Sequence, residues 1–137
     1  MKKNKSLWLI ILAVLAGLFL LHVFQISRFN RQSSNFSDES VIGQGKPVLL
    51  QISSAGCPPC RRMMPALADL NARYADHFTV ALISLDNQPQ AQSRYNVQAI
   101  PTQIFFDEQG NALHRHTGGL TADQVLSLWS QLGVKIQ

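Results

Sequence analysis

A run of about twenty apolar residues, Leu7 to Ile26, divides this chain into two unequal parts; only Gly17, His22 and Gln25 interrupt it. At about 1.5 Å of rise per residue, a helix of that length matches a hydrocarbon core of about 30 Å. Trp8 stands at one end, where an amphipathic ring suits the headgroup level, and His22 lies within about a turn of the other. Lys2, Lys3 and Lys5 precede the run, and Arg28 and Arg31 follow it. This modest bias predicts a cytoplasmic amino terminus, with everything beyond the span exported. A cleaved signal sequence is the competing reading. Its apolar region would be shorter and would end in a small-x-small site, which Phe24 to Phe29 does not offer. No cysteine follows the run to carry a lipid. The expected organisation is a cytoplasmic segment (1–6), a transmembrane signal anchor (7–26), a linker (27–45) and a folded domain (46–137).

Charge separates along the same line. The chain has 12 basic and 8 acidic residues, and before residue 33 every charged side chain is basic. The remainder is near neutral, so it lacks the basic excess that phosphate-backbone binding needs, and no nucleic-acid partner is expected. The linker is polar around Ser33, Ser34, Asn35, Ser37, Asp38 and Ser40. Within it, Phe36, Val41 and Ile42 could form one short element packed on the domain edge.

The exported part reads as an α/β unit. Pro47 to Ser53 is a short, nearly continuous apolar run, as expected of a central strand covered on both faces. Met63, Leu67, Leu70 and Tyr74 then draw one buried helical stripe. Pro65 lies inside it and should kink the helix. A second strand is predicted over Phe78 to Leu85, a short helix over Gln90 to Tyr95 and a third strand over Thr102 to Phe106. Asp107 to Asn111 has hairpin composition, so Ala112 to Thr117 should return antiparallel, near an edge. Gly118-Gly119 breaks the chain. Thr121-Ala122-Asp123-Gln124 fits a capping box, opening a helix with Val125, Leu128, Trp129 and Leu132 inward and Gly133 as its stop. This order calls for helices on both faces of a mixed sheet.

The chemistry is concentrated in Cys57 and Cys60, the only two cysteines. A Cys-x-x-Cys pair opening a helix places the first sulfur among unpaired N–H groups at a positive dipole end, which favours its thiolate. A lowered pKa makes Cys57 both nucleophile and leaving group, and Cys60, on the first turn, can resolve a mixed disulfide. Pro58 and Pro59 carry no N–H. The Cys60 amide therefore remains as the donor, with Arg61 and Arg62 adding charge, and Pro59 stiffens the loop. The competing readings are half of a metal site, completed from His77, His114 and His116, or a structural disulfide. A loop so short gains little stability from closure, against the second.

At this point the sequence resembles thioredoxin over about residues 46–132. The run Cys57-Pro58-Pro59-Cys60-Arg61-Arg62-Met63-Met64-Pro65 is similar to the family's active-site helix. Asp86, Pro89, Tyr95, Val97, Ile100, Pro101 and Thr102 fall at the spacing of the segment leading to its cis-proline, and Gly118 resembles the glycine that lets a partner chain approach. The resemblance implies a thioredoxin-like α/β fold: a mixed central sheet flanked by helices, here preceded by one transmembrane helix. Most of the family's first strand and helix is shortened or absent. The resemblance also implies a cis Pro101 against the cysteines, a redox-active Cys57–Cys60 disulfide, and a docking groove of Ile100, Pro101 and Gly118 that receives a substrate strand.

The departures lie behind the cysteines. Thioredoxins bury an aspartate six residues before the first cysteine, where this chain has Gln51; the accompanying lysine is Leu82. Gln51 cannot take a proton, so the family's general base is missing or replaced by water. A backbone-satisfied buried amide is the plain alternative for Gln51. The expected function is a thiol–disulfide oxidoreductase acting on protein disulfides, tethered to the bacterial inner membrane with its catalytic domain in the periplasm or on the outer face. It needs no organic cofactor or metal. A reductase fed by a transmembrane thiol electron donor is favoured. The alternatives are a disulfide-donating oxidase and a non-enzymatic Cu(I)- or zinc-binding assembly module.

Overall fold

Val48 to Ser53 (β1) is buried at every position, because another layer covers each face of it. The computed structural model describes residues 3–33 and 36–136. β1 pairs in parallel with β2 (Thr79–Ser84) and antiparallel with β3 (Thr102–Phe106), which pairs antiparallel with β4 (Ala112–Thr117). The sheet order β2-β1-β3-β4 puts β4 on an edge, as its exposed alternate residues require. The thioredoxin-like α/β fold expected from the sequence is the one observed.

Alternation along β1 sends side chains to two different cores. Leu49, Val80 and Phe105 meet α2 (Pro58–Arg73) through Met64, Leu67 and Leu70, and α4 (Ala122–Gln131) through Val125 and Trp129. Trp129 is fully buried, with its ring edge-on to Phe105 at 4.8 Å and tilted over Phe78 at 5.4 Å. On the other face Leu50, Ile52, Ile83 and Ile104 pack under α3 (Ala91–Arg94) and the segment after it. α4 opens with both bonds of the expected capping box, Thr121 with Gln124. α2 continues through Pro65 to Arg73 as one helix.

Ahead of the domain, α1 runs from Lys3 to Ser33. It continues past the apolar run into residues expected as linker, because no glycine or proline interrupts the chain between Gly17 and Gly43 and an established helix extends cheaply. Leu7–Gln25 is long and apolar enough to cross a membrane, a property a signal sequence shares.

The segment at 36–42 does pack on the domain. Ser37 forms a parallel bridge to Ala81 on the outer edge of β2, and its carbonyl accepts from Leu82 N–H at 2.9 Å. A 3-10 turn, Glu39–Val41, follows. The Glu39 carboxylate accepts from Arg94 and from the Tyr95 hydroxyl. Burial pushes the Glu39 pKa up, but those two bonds and the Arg94 charge outweigh it and hold the carboxyl below its usual range. Burial, then the bond to Glu39, push the Tyr95 hydroxyl up to about 12.

Candidate active site

The carboxyl end of β1 delivers the chain into Ser54 to Gly56, and α2 begins immediately afterwards. Cys57 is the N-cap of α2, and the Cys60 N–H donates to its sulfur at 3.2 Å, the donor left once Pro58 and Pro59 supply none. The two cysteines form a disulfide with an S–S distance of 2.12 Å. Cys57 keeps 8% of its surface exposed while Cys60 keeps none, so Cys57 is the more accessible residue of the pair. Pro58 is exposed and Pro59 half-buried.

The loop before Cys57 is clamped from two directions. Asp86, in the turn after β2, accepts from the Ala55 N–H at 2.6 Å, the Ser54 hydroxyl at 2.8 Å and the Ser84 hydroxyl at 3.1 Å. Partial burial raises the Asp86 pKa, but those three hydrogen bonds together hold it below the usual carboxylate range. The clamp is therefore charged throughout the neutral range, and it fails only as pH falls through that lowered pKa. Arg61 reaches back to donate to the Ala55 carbonyl at 2.7 Å. Its charge is thus spent on the loop, whereas the sequence suggested only a diffuse contribution to the sulfur. Neither contact was foreseen, since each joins residues brought together by the fold.

Opposite the disulfide lies the Ile100-Pro101 bond, which is cis. The Ile100 carbonyl oxygen is 3.8 Å from Cys57 Sγ. Pro101 is buried and Ile100 half-exposed. The Gly118 N–H donates to the Pro101 carbonyl at 2.8 Å, with φ of +112° at Gly118. That backbone region suits glycine, since a Cβ would strain it. Ile100, Pro101 and Gly118 are therefore brought together beside Cys57.

Against Met63, three residues beyond Cys60 on α2, the structure adds a residue that the sequence reading missed. Gln51 on β1 faces Gln103 on β3 in register, and neither has exposed surface. Gln103 Nε2 donates to Gln51 Oε1 at 2.8 Å and to Met63 Sδ at 3.4 Å; Gln51 Nε2 donates to Ser53 Oγ at 3.0 Å. Gln51 is thus satisfied by side chains, where the plain alternative had backbone partners. On its other side Gln51 pairs with Leu82, so neither register neighbour supplies a charge. The histidines weighed as metal ligands have other surroundings. His114 packs on Phe105 with ring centroids 5.8 Å apart, and His77 lies 6.3 Å from the Tyr74 ring. Among the described residues no three of His, Cys, Asp and Glu gather as a metal site.

The sequence that builds this site is matched elsewhere. The Thioredoxin family model covers residues 28–131. The chain belongs to the thioredoxin family. A thioredoxin-like protein of the cyanobacterium Synechocystis is 32% identical over 96 residues, covering 70% of this chain and 90% of that protein. The chloroplastic thioredoxin Y of rice is 31% identical over 96 residues, 70% of this chain and 56% of its own. The thioredoxin of Alicyclobacillus acidocaldarius is 38% identical over 68 residues, 50% of this chain and 65% of its own. As a thioredoxin-family protein the chain is a thiol–disulfide oxidoreductase with protein disulfides as its substrate class. Among the described residues ahead of β1, Ser37 makes an isolated parallel bridge to Ala81.

Proposed function

We propose that this thioredoxin-family protein is a membrane-tethered reductase of protein disulfides outside the cytoplasm. Residues 7–26 serve as an uncleaved anchor in the bacterial inner membrane, and the folded part beyond the linker faces the periplasm or the outer surface. The observation that carries the reading is the position of Cys57. Cys57 is the less buried residue of the pair, and its sulfur accepts the Cys60 N–H and lies 3.8 Å from the Ile100 carbonyl oxygen.

Cys57 as thiolate attacks one sulfur of a client disulfide. An S–S bond forms to Cys57, the client's own S–S bond breaks, and one client thiolate leaves and takes a proton. A client strand lies along Ile100, with Pro101 supplying no competing N–H and Gly118 leaving room for its backbone. Cys60 then attacks Cys57 Sγ, closing the intramolecular disulfide and releasing the second client thiol. Two electrons have passed to the client. A transmembrane dithiol carrier restores the pair by the reverse exchange, so the cycle needs no organic cofactor or metal.

The likeness to thioredoxins and the isoleucine before the cis-proline favour reduction over disulfide donation. The full chain in detergent, with dithiothreitol as donor, should reduce insulin catalytically after chelator treatment. It should also oxidise reduced ribonuclease poorly. Fast ribonuclease oxidation without insulin reduction would make it a disulfide donor. Retention of Cu(I) or zinc without turnover would make it a metal-handling module.

A further inference from the structure

β1 and β2 run parallel, with Ser53 opposite Ser84, so their carboxyl ends lie together at the end of the sheet that leads to Cys57. The bridge from Ser37 to Ala81 is parallel too, so the chain at Ser37 runs from the amino end of β2 towards that catalytic end. Ser33, the last residue of α1, comes only a few positions earlier. The preceding turns of α1 lie at the catalytic end instead. Leu18, Leu21, His22 and Gln25 share a cleft of about 430 Å³ with Ala55, Gly56 and Arg61 of the active-site loop and α2. From Gln25 to Ser33 the helix rises about 12 Å at 1.5 Å per residue, a large part of the roughly 20 Å that a six-residue strand spans. α1 therefore returns alongside the domain, and its membrane-spanning part stands next to the carboxyl end of the sheet.

The cleft also has a depth. Leu18 and Leu21 belong to the apolar run, whereas His22 and Gln25 interrupt it near its end. It therefore straddles the level at which the span meets water. The surface around Cys57 suits that level. Gly56 and Pro58 are exposed, Pro59, Ile100 and Gly118 are half-exposed, and none of them carries a charge. Asp86 directs its carboxylate to Ser54, Ala55 and Ser84. Arg62, exposed on the first turn of α2, supplies a cation of the kind a phosphate headgroup layer accepts.

We propose that α1 holds the catalytic face against the outer lipid–water boundary, and that Cys57 exchanges with cysteines which membrane-embedded proteins present there. This narrows the partners of the proposed reductase to one class. It rests on the reading of residues 7–26 as an uncleaved anchor and of Cys57 as the reacting thiol. Both halves of the cycle then take place at one level. An S–S bond forms to Cys57 as the client's S–S bond breaks, and two electrons pass to a client at the membrane surface. A membrane dithiol returns them by the reverse exchange. The end of the domain turned to the aqueous phase is the hairpin of Asp107 and Glu108, which follows Phe106 opposite Val48 at the amino end of β1.

The experiment uses the full chain in phospholipid nanodiscs. In a Cys57→Ser, Cys60→Ser background, Gly56→Cys carries a bimane fluorophore; a Cβ there meets only Ser54 Oγ, at 3.8 Å, which is ordinary contact. Glu108→Cys, exposed at the opposite end of the sheet, carries the same label. Lipids with a nitroxide on the headgroup should quench the label at Gly56 several-fold more than the label at Glu108. Pro58→Cys is a second exposed position beside Cys57, so the comparison survives a Gly56 variant that does not fold. Equal quenching at both ends, or stronger quenching at Glu108, overturns the proposal. In the otherwise wild-type chain, a flexible Gly/Ser stretch inserted after Asn35 uncouples the domain from α1. The insert should raise insulin turnover several-fold in nanodiscs and leave it unchanged in detergent. The same nanodisc turnover with and without the insert overturns the proposal. Absence of turnover in detergent rejects the reductase reading, whereas the quenching pattern is read without turnover and stands or falls by itself.

Discussion

Replacing Cys57 with serine is expected to reduce insulin turnover to the uncatalysed rate of dithiothreitol alone. Replacing Cys60 with serine is expected to stop turnover by a different route. The more accessible Cys57 still attacks, but the fully buried Cys60 that would resolve the adduct is gone, so covalent adducts with clients accumulate. The Cys60 N–H that donates to Cys57 Sγ is a backbone group and survives the substitution. Non-reducing gels separate the outcomes: adducts with Cys60→Ser, none with Cys57→Ser. The opposite pattern would exchange the roles of the two cysteines. Substantial turnover by either single variant would remove the two-cysteine cycle altogether.

The largest expected effect on stability lies far from the sulfur. Trp129 has no exposed surface and is the largest fully buried side chain of the domain, wedged between Phe78 and Phe105. Removing such a ring typically costs about 3–5 kcal/mol, transfer and cavity terms together. Small domains hold only about 5–15 kcal/mol in all. At roughly 4–8 °C per kcal/mol, Trp129→Ala should lower Tm by more than about 12 °C. Trp129→Phe should cost much less, because the indole Nε1 makes no hydrogen bond among the described residues and only ring volume is lost. Thermal melts of the full chain in detergent, followed by near-ultraviolet circular dichroism, measure both. Equal melting of Trp129→Ala and wild type would contradict the assignment of α4 to this core.

Local pattern carried most of the fold. Val48 to Ser53 declares a covered strand because each of its faces meets a different core, so its apolar run needs no alternation. Thr121 and Gln124 announce α4 because a capping box is a contact within four residues. Cys57 and Cys60 are legible for the same reason, since the N-cap geometry that positions them lies within one turn. The features that escaped are long-range. Asp86 clamps Ala55 across 31 positions, and Gln103 meets Gln51 across 52. Pattern placed Gln103 only within a predicted strand, but β3 is buried at every position, so its glutamine is buried too. The available signal was a polar amide in each of two neighbouring apolar strands. At the amino-terminal side, composition placed a linker where α1 continues to Ser33. Phe36, Val41 and Ile42 pack on the domain edge as their apolar character suggested, whereas the reach of Glu39 to Arg94 and Tyr95 is not visible in composition.

The central claim is an outward-facing dithiol supplied with electrons through the membrane. Its most direct test is the redox state of Cys57 and Cys60 in living cells. Acid quenching freezes exchange, and a bulky alkylating reagent then reads free thiols as a gel shift. A membrane-impermeant reagent on intact spheroplasts reports the side of the membrane in the same experiment. The expected result is a mostly reduced pair that the impermeant reagent reaches. A mostly oxidised pair, or one accessible only after the membrane is broken, would contradict the account.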